Sequence, residues 1–335
     1  MKTTQGARTG ISVLALLLLG CGGGCFSAQK CPPFKGLPEG LPQRLSETGL
    51  YRDIRKGEIA QGIRPFFPRF ELWSDGAAKR RWIALPPGAR IDTSDMDDWQ
   101  FPVGTKLWKE FVRDGVRVET RLLQKIGPAP DDWSAVAYVW NEDETDAVAK
   151  PEGQVDARGT RHDVPTSVEC LACHGGRRSR ALGFSAIQLA WVPEDEGALT
   201  LDRLVAEGRL THPPRAPIRV PGTPLEQAAL GLLHANCGHC HNKRRPAGGS
   251  PCFDPAGTSI ELWLPVGVSR PEKTPAYRTT IPHFVRPGDP DDSWLLERFS
   301  SRGSILGYRE QMPPLGTEEV DVEGLRTLRR WVESL

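Results

Sequence analysis

With 335 residues, 25% of them charged and 39% hydrophobic, the chain is long enough for two or three domains of ordinary size and has the composition of a soluble protein. A net charge of +1 gives no case for a nucleic-acid partner. The 30 prolines and 35 glycines imply many turns and argue against a single compact core.

The chain begins with Lys2 and Arg8 ahead of an apolar run from Ile11 to Leu19, about half the length that spans a bilayer. Residues 1–20 therefore read as an export signal. The run ends in Leu18-Leu19-Gly20-Cys21, which resembles the lipobox of bacterial lipoproteins and implies cleavage before Cys21 and acylation of its thiol. Cys25 is the weaker alternative, because Gly22-Gly23-Gly24 lacks the branched apolar residue a lipobox needs. Loss of Lys2 and Arg8 takes the net charge from +1 to −1, so the hold on the membrane is lipid, at ~0.8 kcal/mol per buried CH₂, and not a basic patch. The expected location is the cell envelope, facing the periplasm or the cell surface. Gly22 stands where an aspartate would retain the lipoprotein in the inner membrane, which favours the outer one.

Residues 21–43, with Cys31-Pro32-Pro33, Leu37-Pro38 and Leu41-Pro42, read as a tether. Residues 44–165 read as a β-rich domain. Its segments Phe70–Trp73, Arg81–Leu85, Lys106–Val112, Val116–Leu123 and Trp133–Trp140 are rich in aromatic and β-branched residues and are separated by turn residues. Asp114-Gly115 predicts a hairpin, and the whole an antiparallel sheet, with a sandwich as one form. Six of the ten tryptophans (73, 82, 99, 108, 133 and 140) fall here and are expected to fill the core of the sheet, in preference to forming a ligand platform. Asp75, Lys79, Arg80 and Arg81 are expected to be solvated or ion-paired, with anion binding as the alternative.

In residues 166–212 the pattern turns helical, including Thr200 to Glu207 with Gly208 as a C-cap. Residues 213–224 hold five prolines and form a linker. In residues 225–335, Leu225, Ala228, Ala229, Leu232 and Leu233 share one face of a helix, and Leu325, Leu328, Trp331, Val332 and Leu335 repeat the spacing on a terminal helix. Gly231 is expected to let the two approach, against a bulky residue such as Trp331.

Two segments carry the chemistry: Cys170-Leu171-Ala172-Cys173-His174 and Cys237-Gly238-His239-Cys240-His241. In Cys-x-x-Cys-His both thiols add to the vinyl groups of one haem while the adjacent imidazole ligates the iron. The second segment is followed 71 residues after His241 by Met312-Pro313-Pro314, a thioether suited to the sixth position. Haem attachment of this kind takes place outside the cytoplasm, as the export signal requires. Cys25, Cys31 and Cys252 remain; a Cys31–Cys252 disulfide with Cys25 free is one arrangement and three unpaired thiols the other. A zinc site is a third use of the cysteines and histidines, and the paired motifs argue against it.

The chain resembles a bacterial family of exported dihaem c-type cytochromes in which a β-rich N-terminal domain precedes two Cys-x-x-Cys-His segments. The residues that carry the resemblance are Leu45–Leu50, Leu72–Asp75, Phe101–Thr105, Glu119–Leu122 and Val139–Asp146. In the C-terminal half they are Cys170–His174, Asn236–His241, Arg286–Pro290 with Ser293 and Leu295, and Met312–Pro314. The expected fold is therefore multidomain, an antiparallel β-rich N-terminal domain plus an α-helical cytochrome c-type C-terminal region. The expected cofactors are two covalently attached haem c groups, and the resemblance implies electron transfer.

The two irons are expected to differ. Cys237 and Cys240 would anchor the second haem between His241 and Met312, a pair that raises the reduction potential and closes the iron to added ligands. For the first haem the sequence offers only Cys170, Cys173 and His174. Its distal ligand is sought among His162, His212, His234, His283 and Met96, with His212 and His162 ranked first, or its sixth position is open. His239 reads as a spacer. The leading function is a dihaem electron carrier passing electrons between redox partner proteins of the envelope. The alternative is a peroxidase-like redox enzyme whose open first haem is fed by the second, a reading weakened by the mere 67 residues between Cys170 and Cys237.

Overall fold

The computed structural model describes residues 36–246, 259–305, 308–309 and 311–335. The signal segment, Cys21, Cys25, Cys31 and Cys252 lie outside the described residues. Among those described, no helix is long and apolar enough to cross a membrane.

After a small hairpin of β1 (Tyr51–Asp53) and β2 (Glu58–Ile59), the N-terminal half builds one six-stranded antiparallel sheet. Its strands follow chain order: β3 (Arg64–Pro65), β4 (Ala78–Ala84), β5 (Lys106–Arg113), β6 (Val116–Lys125), β7 (Trp133–Trp140) and β8 (Ala147–Ala149). Asp114 and Gly115 both have positive φ, 52° and 80°, as the two-residue turn between β5 and β6 requires. Phe70–Trp73 is not a strand. Its backbone is taken by side chains, Phe70 N–H donating to Gln188 Oε1 (2.9 Å) and Trp73 N–H to Asn236 Oδ1 (2.7 Å).

The sheet is not half of a sandwich. Helices and irregular chain cover both of its faces, and the pleat sorts its side chains between two cores. On one face Trp82, Trp108, Leu122, Val136, Tyr138 and Trp140 pack under Leu41, Leu45, Leu50 and Tyr51. On the other, Ile83, Leu107, Leu123 and Ala135 share a core with Cys170, Ala181, Phe184, Leu201 and Leu204. That second core includes α1 (Ser167–His174), α2 (Ala186–Leu189) and α3 (Leu201–Ala206). Five of the six tryptophans are buried and Trp73 is half-buried, so they fill cores and make no platform.

After the proline-rich stretch, α4 (Pro224–Asn236) starts with Pro224 at its first position and a capping box between Thr223 and Glu226. It packs against the terminal helix α7 (Val322–Glu333), and α5 (Pro275–Thr280) and α6 (Trp294–Ser300) complete the core around Leu230, Leu233, Phe299, Leu328 and Trp331. A short hairpin of β9 (Ser304–Ile305) and β10 (Tyr308–Arg309) precedes Met312. Trp331 Nε1–H donates to Tyr277 Oη (3.0 Å), and Tyr277 Oη–H to Glu226 Oε1 (2.8 Å), which ties α7, α5 and α4 together.

The buried stripe of α4 differs from the expected one. Ala228 is exposed and Leu230 buried, because the helix serves two partners. Gly231 faces Phe70 from the sheet half, and not Trp331: a Cβ there would lie 2.1 Å from the Phe70 ring. The glycine at the α4–α7 crossing is Gly324, whose Cβ would meet Leu232 at 2.7 Å. Gly231→Ala is therefore expected to cost ~1–3 kcal/mol in urea unfolding. In a Phe70→Ala background the same change should turn neutral or stabilising by up to ~1 kcal/mol, from the helix propensity of alanine.

Candidate functional site

The first Cys-x-x-Cys-His segment is the last turn and a half of α1, whose start is fixed by a capping box between Thr166 and Glu169. The helix puts Cys170 in the core under the sheet, and burial pushes its thiol up to about 12. His174 closes the helix, with Nδ1 2.5 Å from the carbonyl oxygen of Arg180. A carbonyl only accepts, so Nδ1 carries the proton and Nε2 keeps the lone pair that a metal uses. Burial is the main reason why His174 is pushed down to about 4, and Lys109, Arg121 and His239 reinforce it, so the ring is neutral at pH 7.

The second segment sits just past the C-terminus of α4. The amides of Cys240 and His241 both donate to the Cys237 carbonyl (3.0 and 2.8 Å), a turn that brings both thiols and the imidazole to one side. Gly238 is needed there because a Cβ would stand 2.8–2.9 Å from the carbonyls of His234 and Leu262. Burial pushes the Cys237 thiol up to about 12 and His241 down to about 4.

These two segments, 67 residues apart in sequence, touch. Asn242 Nδ2–H donates to Gly176 O (3.3 Å) and to His239 O (3.1 Å), and Arg177 Nη1–H donates to Asn242 Oδ1 (3.3 Å). Gly176 is so close that a Cβ on it would lie 1.8 Å from the carbonyl oxygen of His239. Ala172 and Cys173 of the first segment also line the cavity of the second.

That cavity, solvent-connected and about 840 Å³, is walled by Cys237, Cys240, His241 and Met312-Pro313-Pro314, with Ile260, Leu262, Leu295 and Phe299 behind them. The expected ligands of one site thus converge on one apolar slot. Met312 is placed by its amide, which donates to Arg298 O (2.8 Å), and by Gln311, whose Nε2–H donates to the carbonyls of Pro313 (3.1 Å) and Thr317 (3.0 Å). A longer-range tie comes from Asp75, buried at the edge of the sheet. Its carboxylate accepts from Thr317 Oγ1 (2.7 Å), Glu318 N (3.0 Å) and Glu319 N (2.9 Å), fixing the segment behind Met312. Asn236 complements it from the other motif, donating to Glu71 O (3.2 Å) while accepting from Trp73.

A second cavity, about 480 Å³, lies on the other side of His239 and is lined by Arg81, Lys109, Gly183, Gln188, His234 and Trp263 among others. His239 is more than a spacer: it is 4% exposed, borders both cavities, and its Nδ1 has no hydrogen-bond partner among the described residues. Its position between two cysteines concealed it in the sequence.

The proposed distal ligands of the first site are scattered. His162 is buried with Nε2 2.7 Å from Glu119 Oε1, and Arg121 also pairs with that carboxylate. His212 and His283 are exposed, and Met96 packs at the edge of the core beneath the sheet. His234 does face the smaller cavity, but its Nδ1 accepts from Leu264 N–H (3.1 Å), which leaves the proton on Nε2. Two further polar atoms near the first segment, Nε and Nη1 of buried Arg180, also lack partners among the described residues.

The donor set fits haem better than zinc. Among the described residues no three side chains of His, Cys, Asp and Glu converge, whereas a c-type haem asks for two thiols, one imidazole and an apolar slot, all present at Cys237–His241. The four cysteines of the two segments are unpaired, as thioether formation needs. Comparison with protein-family models, with curated proteins and with solved structures returns no match.

Two outcomes follow from this geometry. Gly176→Ala drives a Cβ into the His239 backbone, so thermal or urea unfolding should show a loss of ~3 kcal/mol or more. His234 is 3% exposed, and burial pushes it down to about 3 from 6.5, so the folded chain resists a proton that the unfolded chain accepts. Its contribution is intact above about pH 6.5 and is lost progressively as the pH falls toward 3, with a slope of up to ~1.4 kcal/mol per pH unit; His234→Gln should flatten a stability–pH curve over that window.

Proposed function

We propose that the chain is a dihaem c-type cytochrome lipoprotein that carries electrons in the cell envelope, held to the membrane through acylated Cys21. Haem c, when bound, takes up and releases one electron at a time. Cys170 and Cys173 would hold one haem with His174 as its ligand, and Cys237 and Cys240 the other between His241 and Met312. In this reading the C-terminal region, in which α4 crosses α7 beside the second motif, is a cytochrome c domain and the sheet a separate N-terminal domain.

The observation that carries the proposal is the contact between the two motifs. Asn242, one residue past His241, hydrogen-bonds Gly176, two residues past His174. Groups tethered to these segments are neighbours, as transfer between them requires. At the second site the apolar wall of Ile260, Leu262, Leu295 and Phe299 excludes water, and Met312 supplies a soft sulfur that favours the reduced iron. The neutral rings of His174 and His241 need shed no proton to become ligands.

A second reading, a peroxidase-like enzyme with an open first haem fed by the second, is favoured by one observation: His162 is engaged by Glu119, and His212 and His283 are exposed. Added ligands separate the two. For the carrier, spectra of the holoprotein with cyanide or carbon monoxide should be unchanged at both haems; a ligand-bound spectrum of one haem selects the enzyme. Haem quantification should return two per chain, falling to one in Cys170→Ser/Cys173→Ser. Met312→Ala should lower the potential of one haem and open it to ligands, and an unchanged potential removes Met312 from the site.

A further inference from the structure

The face of the sheet that looks toward the first motif carries a row of positive charge. Arg81 on β4 stands directly opposite Lys109 on β5, and Lys109 directly opposite Arg121 on β6. Like charges facing each other across strands are destabilising, the more so where water is scarce. The two outer members are compensated: Arg81 pairs with Glu71 (3.0 Å) and Arg121 with Glu119. Lys109, in the middle, has no carboxylate of the described residues in ion-pairing range; its ammonium lies 4.8 Å from the ring of Phe111 on the same strand. Burial and the neighbouring Arg81, Lys79 and Arg121 push it well below the usual lysine range. Lys109 and Arg81 both line the 480 Å³ cavity, together with Gln188 and Trp263, and Lys109 is close enough to His174 to act on it electrostatically.

We propose that Lys109, with Arg81 beside it, is the seat of a carboxylate group in this cavity, and that the carboxylate is a propionate of the haem attached through Cys170, Cys173 and His174. The source rests on the dihaem reading; the need for an anion rests on the sheet alone. A carboxylate here supplies the partner that Lys109 lacks and relieves the repulsion along the row, which a water cannot do. The cation in turn offsets the negative charge of the propionate near the iron, and so favours the reduced state.

The test compares wild-type, Lys109→Met and Lys109→Arg holoproteins by haem quantification, redox titration and resonance Raman spectroscopy of the propionate-bending bands. Two haems per chain, with one midpoint potential lowered and the propionate bands shifted in Lys109→Met and both restored in Lys109→Arg, are the expected results. Arginine keeps the cation and does not ligate iron, so its rescue separates charge pairing from iron ligation, and a failure to rescue overturns the proposal. Two haems with potentials and bands unchanged in Lys109→Met overturn it while leaving the dihaem reading intact. Fewer than two haems in the wild type overturn that reading itself. A wild-type potential that moves with added acetate, with propionate bands indifferent to Lys109→Met, assigns the seat to a free carboxylate and overturns the propionate. If Lys109→Met does not accumulate, Lys109→Gln keeps a polar stem of similar length and is read in the same way.

Discussion

The contact between Gly176 and the carbonyl of His239 is the constraint on which the rest of the arrangement depends. No side chain fits there, so the backbones of two segments distant in sequence meet directly. Asn242 and Arg177 then lock the junction with hydrogen bonds, and Arg177 also stacks on Trp263 (4.1 Å) and reaches the carbonyl of Asp97 (2.7 Å). Through these few residues the sheet half, the first motif and the second motif become one packed unit. Under the proposed function the same contact sets how near two redox groups stand, a quantity that is better fixed by backbone than by mobile side chains.

Much of this was legible in the sequence where the signal is local. The Asp114-Gly115 turn, the strands around it, the capping boxes before Glu169 and Glu226 and the Cys-x-x-Cys-His segments depend on residues a few positions apart. What was not legible depends on partners far along the chain. Phe70–Trp73 has the composition of a strand, yet Gln188 and Asn236 take its amides. His162 lies near the first motif in sequence, but Glu119, from the middle of the sheet, claims its ring. Gly231 was rightly read as a close approach but given the wrong neighbour, because nothing in a helical period announces a phenylalanine some 160 residues upstream.

The row of Arg81, Lys109 and Arg121 was hidden for another reason. Strand alternation reports a sheet with one wet face, and here both faces are covered, so apolar residues occupy both sets of positions and the charged ones look like solvent contacts. Only the register between strands reveals that three of them are aligned and turned inward. Buried, unevenly compensated charge is costly, and its presence marks a place where the fold gives up stability for a task.

Asp75 shows how far such tasks reach through the chain. Its carboxylate, held in the left-handed turn before β4 (φ 49°), gathers the backbone of residues 317–319, some 242 positions away, and so anchors the loop that presents Met312. The sheet is therefore a jig for the far end of the molecule. A C-terminal fragment that retained every residue of the second cavity would lack the anchor that holds the methionine in place. Fine adjustment of that site is thus open to changes in a domain that contributes no atom to it.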